Sequence, residues 1–321
     1  MKKISVFLLS AIFVLVLTGC SSPSAGGGNE GSTGTGTTEN DTAGTGTGGT
    51  GTSGSGVTYI GTKAPSDAKR VGDIVFTDGS AMPYSDFESL TYEEKESKKN
   101  SAIALIFYKG TGLNSDVNGS PDNTISRTLG VGLKHRKGLS WADGLAKGGE
   151  VNITTILCPH RGSTGALTFT GDKNGSDNLE QIAAFLIAHN MTNDTGVEGS
   201  KMSASKTATN YSAFNFGKNY KNFVGSRVAN TDYETGWYLP SIAELFQIYA
   251  CIADSAHGFN INEASHALGG DMFEDAWYWS SSQYTPSQYC AYVLHFGNEE
   301  KLFTNKGNAV IYYSCCIREF N

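Results

Sequence analysis

The stretch GWYLPSIAEL, residues 236–245, decides the fold of the region around it. Ser241 followed by Glu244 has the spacing of a capping box, in which each residue's side chain satisfies the other's backbone N–H. The residues after this box recur at the spacing of one buried helix face: Leu245, Ile248, Tyr249 and Ile252. The stretch therefore predicts a capped amphipathic helix whose apolar side packs against the core.

Short apolar runs predict strands at both ends of the domain. The run at 102–108 is continuous and too short for most helices, which is typical of a buried strand. A turn signal at 77–80 follows another such run. The remaining strand candidates are 72–76, 128–133, 290–296 and 309–320.

Three more segments have helical signals. Residues 92–96 are charged and helix-prone, and Ser140–Asp143 has the pattern of a capped start that predicts a short helix as far as Lys147. Ser176 or Asp177 is a candidate cap for a third helix, whose apolar residues fall at helical spacing: Leu179, Ile182, Ala183 and Leu186. The polar segment 191–236 predicts an irregular, solvent-facing insertion.

The N-terminus has the signals of an exported lipoprotein. Lys2 and Lys3 precede an apolar segment at 6–17, which is too short for a membrane-spanning helix and is typical of a secretory signal. Residues 17–20 read LTGC and look like a bacterial lipobox, which would make Cys20 the lipidated first residue of the mature chain. An ordinary signal peptide with a chance cysteine is the alternative. Lipidation would anchor the protein to a membrane without a spanning helix.

Residues 21–56 cannot build a core, because 28 of these 36 residues are Gly, Ser or Thr. Such a segment buries too little apolar area to offset the entropy of folding, so we expect a disordered tether. Residues 57–321 then remain for the folded domain. The formal net charge of −7 and the lack of a basic run argue against a nucleic-acid partner.

The cysteines and histidines do not form a metal or catalytic pattern, and we expect no cofactor and no enzymatic activity. The domain's cysteines are Cys158, Cys251, Cys290, Cys315 and Cys316, without CxxC pairs. We expect Cys290 and Cys315 to be exposed and Cys316 to be buried. The segment Ser280–Ser282 lacks the glycines of a nucleophile elbow and is expected to hydrogen-bond to a loop. The tryptophans at 237, 277 and 279 are expected in the core.

Four ordered motifs carry a resemblance to a known family. They are 236–245, the aromatic-serine segment 278–282, Ala291 with Phe296, and Cys316–Arg318. Together they resemble a C-type lectin fold of the branch that includes the formylglycine-generating enzyme, over roughly residues 130–320. The resemblance implies an α+β domain at 57–321 with short twisted antiparallel strands and two or three helices.

A narrower resemblance adds the lipobox, the Gly-Thr tether and the VGDIVF stretch at 71–76. With these, the chain is similar to treponemal variable surface lipoproteins, the targets of diversity-generating retroelements. That resemblance implies a variable region at about 278–320, in which randomised AAC codons give many residue types but never Lys, Glu, Gln, Met or Trp. The implied ligand-binding residues are Thr285, Ser287, Tyr289, Tyr292, Val293, His295, Asn298, Phe303, Asn305, Asn308, Tyr312 and Tyr313.

Strand alternation refines this prediction. If Leu294 and Phe296 face the core, Val293 and His295 face solvent. The predicted function is a lipoprotein displayed on the outer membrane or cell surface, which binds a protein or glycan on another cell or host surface through a hypervariable C-terminal face. An invariant adhesin for host glycans or matrix is the alternative, although no compact calcium-dependent sugar motif is present.

Overall fold

The computed structural model describes residues 56–114, 124–144, 146–158, 171–191, 197–198, 201–253, 259–284, 286–298, 300–308 and 311–320. The predicted signal peptide at 1–20, with the predicted lipidation site Cys20, lies outside the described residues, as do Thr285 and the predicted tether up to residue 55. Within the described part, no helix combines the length and the apolar character needed to cross a membrane.

Thirteen short strands are found in the described part of the chain. They are β1 Asp73–Phe76, β2 Ala81–Pro83, β3 Ala102–Gly110, β4 Arg127–Gly132, β5 Arg136–Lys137, β6 Leu157–Cys158, β7 Val197–Glu198, β8 Lys201–Met202, β9 Trp277–Tyr284, β10 Cys290–His295, β11 Lys301–Asn305, β12 Tyr313–Ser314 and β13 Ile317–Glu319.

The α-helices of the same residues number seven. They are α1 Tyr84–Glu88, α2 Tyr92–Lys99, α3 Asn178–Ala188, α4 Ala204–Asn210, α5 Ser212–Lys218, α6 Ile242–Ala253 and α7 Ile261–Ala267. The α+β class is therefore confirmed, and the prediction of two or three helices is wrong.

Two main sheets organise the domain. One is antiparallel with the order β2-β1-β3-β4-β13. The other follows the path β11-β10-β9-β12-β5, and β6 also pairs with β9. Between β12 and β13 the chain passes from the second sheet to the first, so the predicted strand at 309–320 is two strands. Cys315 and Cys316 lie at this crossing, and both are buried.

Several local predictions are confirmed. The runs at 72–76, 102–108 and 128–133 form β1, β3 and β4, and the charged run at 92–96 lies in α2. The capping box before α6 is present: the Glu244 N–H donates to Ser241 Oγ at 3.2 Å, and the Ser241 N–H donates to Glu244 Oε2 at 2.7 Å. The predicted stripe of α3 is buried, but Asp177 makes no side-chain cap.

Two predictions fail because tertiary contacts override local signals. The described residues of 140–147 do not form an α-helix. Trp141 is buried, and the Ala142 N–H donates to the carbonyl of Lys306 at 3.0 Å. The segment 191–236 is not an irregular insertion, because it contains α4 and α5. Its aromatic residues lie in the core: Tyr211, Phe214, Phe216 and Tyr220.

The core has two apolar clusters, and β9 and β10 supply side chains to both. Tyr292, Leu294 and Phe296 enter the cluster that also includes the buried face of α6. Ala291 and Val293 enter the other cluster, which includes the buried residues of α3 and α5. Both faces of β10 are therefore covered, and this determines which residues of the C-terminal region can meet a ligand.

Candidate functional site: the C-terminal face

Large apolar side chains are exposed over a short part of the C-terminal region. Tyr289 is 51% exposed, Leu302 43%, Phe303 44% and Ile311 53%. We call β11, together with residues 286–289, 306–308 and 311–312, the C-terminal face. Other exposed large apolar residues, such as Tyr92, occur singly along the described chain, and scattered residues of that kind are ordinary on a protein surface.

Strand β11 is an edge strand, since β10 is its neighbour in the described sheet. Phe303 lies opposite Tyr292 in the register, and its ring stacks on Tyr284 with centroids 3.8 Å apart and planes 3° from parallel. Tyr284 in turn meets Tyr292 edge to face at 5.4 Å. The exposed Phe303 ring therefore rests on aromatic residues that connect it to the core.

The opposite side of β11 is held by Thr304. The Tyr312 hydroxyl donates to Thr304 Oγ1 at 3.0 Å, and Asn308 Nδ2 donates to the same oxygen at 2.9 Å. The Tyr312 ring also lies 4.9 Å from the Trp279 ring. These contacts hold Asn308 and Tyr312 against the strand.

Lys306 anchors the end of β11 from inside the protein. Its side chain is fully buried, and Nζ donates to the carbonyl oxygens of Gly148 at 2.8 Å and Val151 at 3.2 Å and to Gln283 Oε1 at 3.0 Å. Nζ also lies 4.6 Å from the centre of the Trp141 ring. Burial lowers the pKa of Lys306 from 10.5 to about 7. Lysine is unreachable from an AAC codon, and here it has a structural role.

His295 ends β10 beside an exposed carboxylate. Its ring meets Trp277 at 4.7 Å, its Nδ1 lies 3.5 Å from Asp275 Oδ1, and it accepts a hydrogen bond from the Gly297 N–H at 3.2 Å. This arrangement orients the imidazole but adds no second histidine. Among the described residues, no group of three His, Cys, Asp or Glu side chains is placed to hold a metal ion.

Two of the predicted ligand-binding residues cannot contact a ligand. Tyr292 is fully buried and Val293 is 1% exposed, so the prediction that Val293 faces solvent is wrong. The side chains of β10 do alternate between its two faces, but both faces are covered by apolar clusters, so neither faces solvent. Cys315 is likewise buried, against expectation, and burial raises the pKa of its thiol. Cys290 is half-buried, and the prediction for Cys316 is confirmed.

The other described residues of the predicted set lie at the surface to different degrees. Those that are exposed are Tyr289, Asn298, Phe303, Asn305 and Asn308. Those that are half-buried are Ser287, His295, Tyr312 and Tyr313. Sequence reasoning missed Leu302 and Ile311, because an apolar residue in a short strand is normally assigned to the core, and sequence alone does not tell an edge strand from a central one.

A buried polar frame joins the motif at 236–245 to β4. Arg127 on β4 pairs with Glu244 at 2.9 Å, and Glu244 Oε1 also accepts from the Tyr238 hydroxyl at 2.9 Å. Arg127 and Asp172 were not predicted from the sequence. Burial raises the pKa of Asp172 to about 7. The hydrogen bond that this carboxylate accepts from Asn178 Nδ2 at 2.8 Å acts in the opposite direction and is the smaller effect.

The three serines of β9 all make side-chain hydrogen bonds, and the predicted bond to a loop is found for Ser282. Ser282 Oγ donates to Asp172 Oδ2 at 2.8 Å, and Ser281 Oγ accepts from Asn178 Nδ2 at 2.8 Å. Ser280 Oγ donates to the carbonyl of Tyr292 at 3.0 Å. Trp237 and Trp279 are buried, while Trp277 is half-buried. The three serines and the two buried tryptophans hold the scaffold together and do not reach the surface.

Comparisons with known proteins include a distant likeness to a solved structure. No family model matches the chain, and no curated protein matches it. Among solved structures, the chain is similar to a fimbrial protein from Bacteroides ovatus ATCC 8483, at 15% sequence identity and a TM-score of 0.46. The likeness covers 78% of this chain and 49% of that chain, so the chain spans about half the length of this neighbour.

Proposed function

We propose that this chain is a lipid-anchored protein of the cell surface with a C-type-lectin-like domain, and that its C-terminal face binds a protein or glycan through side chains that differ between copies of the gene. The observation that carries the proposal is the concentration of exposed large apolar residues between positions 289 and 311. We expect the domain to act by binding and not by catalysis.

The physical chemistry of this face suits recognition. A phenylalanine side chain has about 200 Å² of surface, so covering the exposed fraction of Phe303 would contribute roughly 2 kcal/mol. Tyr289 is 51% exposed and offers similar contact area with few rotatable bonds, as tyrosines do in antibody loops, and the half-buried Tyr312 adds a smaller area. The exposed amides of Asn305 and Asn308 add hydrogen-bonding groups around this apolar area.

The buried frame is compatible with variation of the C-terminal face. Because the capping box and the serine frame are buried, they maintain the fold whichever residues occupy the surface. The exposed residues of the predicted set are all reachable from an AAC codon, whereas the buried Lys306 is not. Diversification of this kind would change what the face binds while it leaves the scaffold intact.

Sequencing the 3′ end of the gene from a population tests the variable reading. We expect substitutions at template adenines in the codons of Tyr289, Phe303, Asn305 and Asn308, together with a nearby template repeat and a reverse transcriptase gene. The codon of Lys306 should remain constant. Uniform codons and no template would leave the fixed adhesin as the explanation.

Binding is tested on glycan and extracellular-matrix arrays with the full chain. The double variant Tyr289→Ser, Phe303→Ser should lose at least tenfold in signal on any array element that the wild type binds, since each substitution removes roughly 2 kcal/mol of apolar contact. Tyr92→Ser is the matched control, because Tyr92 is 75% exposed on α2. Equal signals for the double variant and the control would show that binding occurs elsewhere.

Lipid anchoring is tested separately in the cells that produce the protein. Labelling with an alkyne-bearing fatty acid should mark the wild-type chain, and Cys20→Ala should abolish the label and release the protein from the membrane fraction. Cys290→Ala provides the control for a half-buried thiol of the domain. Undiminished labelling of the Cys20→Ala chain would refute the lipobox interpretation.

A further inference from the structure

The side chains of Lys306 and Gln283 meet end to end inside the protein. Both are fully buried, and Lys306 Nζ lies 3.0 Å from Gln283 Oε1. Because a C=O bond is about 1.2 Å long, Nζ lies no more than about 4.2 Å from the amide carbon of Gln283. The Trp141 ring covers the amine, with its centre 4.6 Å from Nζ. An amine and an amide carbonyl are thus held in contact away from solvent.

The lysine amine is arranged to act as a nucleophile. Burial lowers its pKa to about 7, so a large fraction of the group is neutral at neutral pH. Its other two hydrogen bonds go to the carbonyl oxygens of Gly148 and Val151. A neutral amine has two N–H groups, and these two acceptors use both of them. The lone pair of the neutral amine is therefore left to face Gln283.

The amide of Gln283 is held at both of its polar atoms. The Ile153 N–H donates to Oε1 at 3.1 Å, where it would stabilise negative charge on this oxygen as an oxyanion-hole donor does. Nε2 donates to Asn152 Oδ1 at 2.6 Å, and Asn152 is exposed. The carbonyl is therefore polarised by a backbone donor, and the amide nitrogen lies on the side of the group that is nearer to solvent.

We propose that Lys306 and Gln283 condense within the folded chain to form an isopeptide bond. The neutral amine adds to the amide carbon of Gln283, so a bond forms between Nζ and Cδ. One proton passes from Nζ to Nε2, the Cδ–Nε2 bond breaks, and ammonia leaves past Asn152. The reaction consumes no oxidant, reductant or other reactant. Holding well-oriented groups together is worth an effective concentration of about 10⁵–10⁸ M.

The bond would close a covalent ring that runs from Gln283 to Lys306. This ring contains β10 and β11, and hence most of the C-terminal face. It would tie the edge strand β11 to the central strand β9 across the strand between them. The proposal does not depend on a ligand, on lipidation or on variation between gene copies. Because the bond consumes the amine, stability measurements on Lys306 refer to chain that has not condensed.

Peptide mass spectrometry of the full wild-type chain tests this bond. The chain is kept folded at pH 8 for several days and is then digested with trypsin. An unmodified Lys306 gives the peptides 228–301 and 302–306. The isopeptide bond joins 228–301 to 302–318, because trypsin does not cut after the modified lysine, and the joined species lacks one ammonia. We expect the joined species to accumulate with time in folded chain and to be absent from chain held in urea.

Variants separate this bond from other losses of ammonia. The Asn-Gly sequence at 174–175 can also lose ammonia by cyclising, so the intact mass alone does not identify the bond. Gln283→Met and Lys306→Met should each lose the joined species, whereas Gln288→Met, at an exposed glutamine of the same ring, should retain it. A folded wild-type chain that yields only the free peptide 302–306 would overturn the proposal. A joined species that persists in Gln283→Met would also overturn it.

Discussion

Replacing Lys306 by methionine tests the role of the buried cation behind the C-terminal face. Methionine preserves most of the apolar stem but removes the group that donates to Gly148, Val151 and Gln283. A neutral lysine amine makes two of these bonds, and buried acceptors that lose their donor cost about 1–3 kcal/mol each. At pH 10, where the amine of the folded protein is neutral, we therefore expect the variant to be less stable by about 2 kcal/mol or more.

The effect of Lys306→Met should reverse at lower pH. The pKa of Lys306 is about 7 in the folded protein against 10.5 as the ordinary value, so the unfolded chain binds this proton more tightly. The wild type accordingly gains stability as the pH rises from about 7 to about 10.5, at about 1.4 kcal/mol per pH unit, or roughly 5 kcal/mol in all. Methionine has no such proton, so at pH 6 the variant should equal or exceed the wild type in stability.

Urea denaturation followed by tryptophan fluorescence at pH 6, 8 and 10 measures this difference. The contributions of the other titrating groups cancel in this difference, because both chains contain these groups. Lys147→Met is the matched control: the Lys147 side chain is 46% exposed, and its surface ion pair with Glu150 contributes less than about 1 kcal/mol. The control should differ from the wild type by a small amount that does not change with pH. If the difference between Lys306→Met and the wild type were constant over this range, the buried-cation account would be refuted.

Three further predictions concern the frame and the face, each measured by urea denaturation at pH 7. Glu244→Gln should lower the free energy of unfolding by about 3–5 kcal/mol, because it breaks the buried ion pair with Arg127. Glu319→Gln removes the partly exposed ion pair of the same arginine and should lower it by less than about 1 kcal/mol. Similar losses in the two variants would contradict the argument from burial. Val293→Asp should lower the free energy of unfolding by more than about 3 kcal/mol or prevent folding, because it buries a carboxylate. Tyr289→Asp, at an exposed position, should change this free energy by no more than about 0.5 kcal/mol. A stable Val293→Asp variant would mean that residue 293 faces solvent after all. Ser241→Ala should lower the free energy of unfolding by about 1–2 kcal/mol, because it removes the N-cap of α6. An unchanged urea midpoint would contradict this prediction.

The sequence predicts those elements whose signals are local. The capping box before α6 and the continuous run that forms β3 depend on neighbouring residues alone, and both are found where the patterns place them. Segment 140–147 has a comparable cap pattern, but its described residues form no α-helix. Trp141 packs in the core between Lys306 and Phe214 of α5, and this long-range packing outweighs the local preference of the segment for a helix.

The candidate site is predictable only in part, because exposure depends on what packs against each strand. Alternation along β10 correctly separates Val293 from Leu294, but it does not reveal that a second apolar cluster covers the face of Val293. The aromatic residues of α5 supply part of that cover, and they come from a segment whose polar composition suggests a loop. The same limit explains Leu302, whose exposure follows from the position of β11 at the edge of its sheet.

We expect the C-terminal face to tolerate substitution because of how it is attached. Phe303, Asn305 and Asn308 lie on an edge strand and the turn after it, so substitutions there expose or remove surface without opening the core. The buried frame around Glu244 is tied to a different set of elements, β4 and α6, so effects at the two places should be close to additive. Lys306 is the exception, because it belongs to the turn after β11 and reaches into the core. A face that varies freely therefore requires that this lysine stay constant while its neighbours change.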